Sequence, residues 1–142
     1  MLIDVASSHA PGLFQRLTMY RLRADVQIEE TDLVVSRGLG EAPEGALADP
    51  RHPKLGWRSY GPDDQSEEVD WEALRIELGV PETGIELTPD SYILETGFER
   101  LNGVDFKKGC FVGQEIVARM KHKTELRKGL VRVSVDLSLI HI

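Results

Sequence analysis

The run Lys108–Arg119, K-G-C-F-V-G-Q-E-I-V-A-R, holds the chain's single cysteine, two framing glycines and an adjacent Gln-Glu pair. Lys107 and Lys108 make its entry cationic, and Gly109 and Gly113 can adopt backbone conformations that other residues avoid. The pattern predicts a tight turn feeding a short helix over Gln114–Met120, with Glu115 and Arg119 in the favourable i,i+4 order. Cys110 lies beside lysines and just ahead of a helix N-terminus, a setting that favours thiolate and suits a reactive or ligand-contacting cysteine. The same residues fit a plainer description: Cys110 a small buried apolar side chain, the glycines turn glycines, Glu115–Arg119 a solvated pair. Spacing alone leaves both open.

Around this run the charge is unevenly spread. Residues 1–99 carry 8 Lys and Arg against 20 Asp and Glu, whereas residues 100–142 carry 9 against 4, within an overall net charge of −7. The basic third, with Lys107, Lys108, Arg119, Lys121, Lys123, Arg127, Lys128 and Arg132, suits a polyanion such as a nucleic acid or a polycarboxylate tail. It also fits a solvated basic face, since no aromatic residues interleave the lysines as a single-strand platform requires. A chain of 142 residues is long enough for one domain or a piece of a larger one. One cysteine rules out an internal disulfide framework and fits a reducing compartment. No continuous apolar run reaches membrane-spanning length, and Met1–Asp4 lacks the features of a signal peptide.

Upstream, the pattern is α+β. Ser7 or Ser8 can cap a helix whose face is Leu13, Phe14 and Leu17. Ala24, Val26 and Ile28 alternate with polar residues, and with Leu33–Val35 they predict a hairpin-like strand pair. Arg37–Pro53 reads as a long loop, Leu55–Tyr60 as a strand. Asp64 with Glu67 resembles a capping box opening a helix to about Leu78, stopped by Gly79 and Pro81. Leu130–Val135 alternates again as a last strand. An irregular mixture of this kind predicts an antiparallel or mixed sheet with helices on one face. No internal repeat is visible.

The longer stretch Gly97–Met120, G-F-E-R-L-N-G-V-D-F-K-K-G-C-F-V-G-Q-E-I-V-A-R-M, resembles the signature of the YgfZ family of folate-binding proteins. That family shares a superfamily with the glycine-cleavage T-protein, an aminomethyltransferase, and serves assembly and repair of iron–sulfur proteins. Weaker agreement extends upstream through D-P-R at Asp49–Arg51, L-G-W-R at Leu55–Arg58 and L-R-I-E-L-G-V-P at Leu74–Pro81. The resemblance implies ferredoxin-like modules of the T-protein-like fold. It implies a partial folate-binding domain over residues 1–136, with further sequence before Met1 and a small β-barrel after the last strand. Residues 137–142, L-S-L-I-H-I, depart from the family pattern and are expected to be a non-native or disordered tail.

What the resemblance implies for the site follows from the ligand's chemistry. Tetrahydrofolate or a derivative offers a pterin, which wants a carboxylate acceptor and apolar walls, and a carboxylate tail, which wants guanidinium forks. Glu95 in Y-I-L-E is the carboxylate the resemblance suggests, Arg75 in L-R-I-E-L-G the tail anchor, and Arg58 a further charge. Trp57 reads either as an aromatic wall or as core. Cys110 is the candidate catalytic residue, within a binding loop of Lys108, Gly109, Gly113, Gln114, Glu115 and Arg119.

The four histidines are dispersed and one thiol cannot hold a cluster, so no resident metal is expected. Gly38–Gly45 lacks the lysine and helix start of a phosphate loop. Three functional classes then compete. A folate-binding accessory factor for iron–sulfur proteins, partnered with the assembly machinery or its client enzymes, is favoured by the signature. A tetrahydrofolate-dependent aminomethyltransferase is the enzyme alternative, against which the departure at this motif counts. An RNA-associated factor in tRNA modification is motivated by the basic third. The compartment implied is the cytoplasm, or the mitochondrial matrix in a eukaryote, without a membrane.

Overall fold

In the computed structural model, residues 1–123, 126 and 128–135 are described. In chain order they form helix α1 (Ala10–Tyr20), strands β1 (Val34–Gly38), β2 (Leu47–Ala48) and β3 (Trp57–Gly61), helix α2 (Trp71–Leu78) and helix α3 (Gln114–His122). The class is α+β, with one antiparallel sheet in the order β1-β3-β2. A 3-10 turn at Pro53–Leu55 turns the chain from β2 into β3. It is opened by His52, whose Nδ1 accepts from the Lys54 N–H at 3.1 Å.

The central strand is β3, paired on one side with β1 (Val35↔Tyr60, Ser36↔Ser59, Arg37↔Arg58, Gly38↔Trp57) and on the other with β2 (Leu47↔Arg58, Ala48↔Trp57). The pairing requires two backbones to meet closely at Gly56. Its φ is +68°, and a Cβ there would stand 1.9 Å from the Gly38 carbonyl oxygen. Only glycine fits the G-W-R turn into β3. Among the described residues the buried apolar side chains are Leu55, Trp57, Val80, Leu94, Leu101 and Val117. Leu55, Val80 and Leu101 form one cluster, against which Leu74 and Leu78 of α2 pack. Much other apolar surface stays open to solvent, including Leu22, Val112, Val131 and most of α1, which has no fully buried residue.

Several local expectations are corrected. α1 begins after His9 with Pro11 in its first turn, and neither Ser7 nor Ser8 caps it. The hairpin over residues 24–35 does not form, because the partner of β1 is β3 and the Ala24–Glu30 stretch has no strand. α2 is capped six residues later than expected, at Asp70, whose Oδ1 accepts from the Ala73 N–H at 2.9 Å. Glu67 is used elsewhere: its carboxylate takes the backbone N–H groups of Leu39 (2.7 Å) and Gly40 (3.0 Å) in the glycine-rich loop after β1. Asp64 folds back locally on the Ser66 N–H at 2.9 Å. Gly79, in the left-handed region, ends α2 as expected. The Arg37–Pro53 loop contains the short β2. Residues 130–135 run without strand pairing, tied back by Arg132 donating to the Glu77 carbonyl at 3.3 Å. The 137–142 tail and Arg127 lie outside the described residues.

Replacing Gly56 by Ala is expected to lower stability by about 1–3 kcal/mol, through the positive φ and the contact with Gly38. Gly12→Ala in α1, where a Cβ meets nothing within 4 Å, is expected to raise stability by up to about 1 kcal/mol. Urea midpoints of the two variants check the contrast, and an unchanged midpoint for Gly56→Ala contradicts the packing described.

Candidate functional site: an arginine cleft and a surface thiol loop

Asp49, just past β2, is the best-buried carboxylate in the described chain, its side chain only 2% exposed. Its Oδ1 accepts from the Arg51 backbone N–H (3.0 Å) and Nε (2.9 Å), and its Oδ2 from Arg51 Nη2 (2.6 Å) and Arg58 Nε (2.9 Å). Burial alone would raise its pKa. The side-chain and backbone bonds from Arg51, with that from Arg58, outweigh burial and bring it down to about 2. Arg58 also donates through Nη1 to Asp4 in the N-terminal segment, whose carboxylate takes the Tyr60 hydroxyl at 3.3 Å as well. Burial works against the Arg58 charge, but Asp49 and Asp4 hold it above its ordinary value.

These groups form one wall of a cleft of about 500 Å³. The sheet contributes Arg37 and Arg58, the β2–β3 connection Asp49, Arg51 and Leu55, and the opposite wall comes from Trp71, Glu72 and Arg75 of α2 with Val80–Glu82. Arg75 is surrounded by acids. Its Nε and Nη2 donate to Glu72 at 2.7 and 2.6 Å, its Nη1 to Glu86 at 3.0 Å, and Nε lies 3.0 Å from a Glu82 oxygen. The Glu72 bonds are the largest cause of its raised pKa, opposed by burial and reinforced by Glu86. Arg37 differs. Its guanidinium lies over the Trp71 ring, 4.4 Å from the centroid, and makes no ion pair among the described residues. Burial and then the charges of Arg58 and Arg51 push its pKa down.

The signature loop is a separate place. Lys108, Gly109, Cys110, Gly113, Gln114, Glu115 and Arg119 are all exposed, and none of them lines the cleft. Gly113, at φ +87°, turns the chain into α3. Gln114 closes the turn, its Oε1 accepting from the Phe111 N–H at 3.3 Å while its own N–H reaches the Phe111 carbonyl at 3.1 Å. Lys108 Nζ lies over the Phe111 ring at 5.1 Å. The expected Glu115–Arg119 ion pair is not among those formed by the described residues. α3 is held instead by buried Val117 and by Lys121, which pairs with Glu99 at 2.5 Å and lies over Phe106. The description of Cys110 as a buried apolar side chain is therefore corrected: the thiol is exposed.

Of the sequence-predicted residues, Arg58 and Arg75 share the cleft, Glu95 is half-buried outside its lining, and the signature stands apart. Trp57 is core, 6% exposed, with an indole N–H that meets no acceptor among the described residues. Sequence reasoning missed Arg37 and Trp71, and it took D-P-R only as a point of resemblance. The spacing of Asp49 and Arg51, a carboxylate bonding the N–H two residues on, is the signal that could have found the network. Among the described residues no three His, Cys, Asp or Glu side chains converge to hold a metal ion, and no helix is long and apolar enough to cross a membrane.

No protein-family profile matches the chain. Individual proteins do. Over 161 residues it is 32% identical to the mitochondrial iron-sulfur cluster assembly factor IBA57 of Mus musculus, covering 95% of this chain and 45% of the relative. With the Homo sapiens protein of the same name it shares 34% identity over 158 residues, 93% of this chain and 44% of the relative. The mitochondrial IBA57 homolog of Mycosarcoma maydis is 32% identical over 157 residues, covering 96% of this chain and 39% of the relative. The chain thus spans a little under half the length of the curated relatives it matches.

Asp49 gives the cleft a pH signature. Its folded-state pKa of about 2 lies below the ordinary 3.8, so its contribution is complete above the unfolded value and is lost as pH falls toward 2. Asp49→Asn is expected to cost roughly 3 kcal/mol at pH 7, by leaving Arg51 and Arg58 without their shared partner. It is also expected to flatten the loss of stability between about pH 4 and 2. Urea titrations across that range check both, and wild-type stability in the variant at pH 7 contradicts the network.

Proposed function

We propose that this chain is the part of an iron–sulfur assembly factor that carries the thiol loop, and that it acts as an accessory protein, not a cluster carrier. The observation that carries this reading is the exposure of the signature's polar residues and thiol, Lys108, Gly109, Cys110, Gly113, Gln114, Glu115 and Arg119, with Cys110 presented on a turn ahead of α3. A structural cysteine belongs inside; an exposed one flanked by Lys107, Lys108 and a helix start is placed to meet a partner. The similarity to the IBA57 assembly factors supports the same reading. The cluster is cargo here, with Cys110 offering at most one transient ligand across a complex with the assembly machinery or a client enzyme. The compartment that follows is the mitochondrial matrix in a eukaryote and the cytoplasm in a bacterium.

The finer reading is a YgfZ-type folate-binding protein with ferredoxin-like modules, taking tetrahydrofolate or a derivative. The antiparallel sheet and the signature support it. In this reading Glu95 faces the pterin and Arg75 receives the tail carboxylate, exchanging it for Glu82, one of two solvent-exposed acids on its Nε side. Such an exchange keeps the guanidinium paired throughout, which limits its cost.

In a strain lacking its own copy of the factor, Cys110→Ser is expected to fold normally, since the side chain is exposed, yet to fail to restore a [4Fe–4S] dehydratase. Full restoration by a normally folded Cys110→Ser protein overturns the role of the thiol. Calorimetric titration with tetrahydrofolate tests the ligand separately: Arg75→Ala is expected to weaken binding by about 1.5–3 kcal/mol, the range for hydrogen bonds to charged groups. Equal affinity in the two proteins removes Arg75 from the site.

A further inference from the structure

We propose that Arg37, laid on Trp71 at the wall of the arginine cleft, is the open donor of a binding site for a phosphate or carboxylate group. The antiparallel register puts Arg37 directly across from Arg58 on adjacent strands. Opposed residues in such a pair have their Cβ atoms about 4.5–5.5 Å apart, and like charges placed so repel each other. The backbone cannot relieve this, because both strands are fixed by their ladder and by the glycine contact at Gly56. Every other guanidinium in the cleft is matched by acid: Arg51 by Asp49, Arg58 by Asp49 and Asp4, Arg75 by Glu72, Glu82 and Glu86. Arg37 has no such partner among the described residues.

Stacking occupies the face of the Arg37 guanidinium and leaves its N–H edge free, with no side-chain hydrogen bond to any described residue. An edge of that shape donates two parallel bonds to a planar carboxylate or to two oxygens of a phosphate. A bound oxyanion also relieves the repulsion from Arg58 and Arg51 that depresses the Arg37 pKa. Trp71, half-buried beneath, offers a ring against which the body of such a ligand can lie. The cleft volume of about 500 Å³ admits a small metabolite. Arg37 is not a residue of the folate reading, which places its tail carboxylate on Arg75 of the same cleft, so substitutions at Arg37 and Arg75 tell the two apart.

Inorganic phosphate and succinate, titrated separately at fixed ionic strength, distinguish the two sources of the oxyanion, with the Trp71 indole N–H resonance as readout. At least one probe is expected to shift that resonance saturably, and the tighter probe identifies the ligand group. Arg37→Ala should weaken that binding at least about tenfold, the worth of one charge-assisted hydrogen bond, with an unchanged thermal melt. Arg37→Lys, which keeps charge but loses the fork, should fall between. Saturation by neither probe, or equal binding by Arg37→Ala, overturns the proposal. Arg75→Ala serves as the control: probe binding lost in Arg75→Ala but kept in Arg37→Ala assigns the oxyanion to Arg75 and overturns the proposal.

Discussion

One buried carboxylate organises the functional half of this molecule. Asp49 accepts four hydrogen bonds from Arg51 and Arg58, and through them it fixes the β2–β3 connection against the central strand. Without it, two guanidiniums would face each other across a half-buried wall with Arg37 beside them. A pair of this kind is weak evidence for stability in itself, since taking charges out of water costs several kcal/mol per ion. Its value is geometric: it holds several arginines within one small cleft, where each influences the charge of the next.

Two chemistries are kept apart on the surface. The cleft gathers charge in a concave place roofed by α2, as a small anion would need. The thiol loop gathers nothing; it displays Cys110 at a turn, with Lys108 and Phe111 beside it and α3 running away behind. A concave arginine site suits a ligand, and a convex thiol suits a protein partner. The two need not act in one step, although they lie on one chain.

How much of this was legible in the sequence depended on the range of the interaction concerned. The helix after Gly113, the strand around Trp57 and the stop at Gly79 were readable because local backbone conformation and adjacent residues decide them. The α2 cap was misplaced because Glu67 has a distant use, holding the N–H groups of Leu39 and Gly40. The hairpin over residues 24–35 failed for a similar reason: β1 finds its partner some twenty residues on, in β3, and not in the alternating stretch just before it. Arg37 was invisible as a site residue, since its meaning comes wholly from the register that sets it opposite Arg58 and from the helix that brings Trp71 beneath it. Arg58 and Arg75 were named for a folate tail. They do share a cleft, but with their carboxylate partners already in place.

The account rests on Asp49 being ionised and doubly held by arginines inside the fold. A carbon-13 NMR titration of the Asp49 side-chain carboxyl measures this directly. The account predicts a midpoint near 2, well under the ordinary 3.8. A midpoint at or above the ordinary value would mean that burial wins over the arginines, and that the cleft is not built as described.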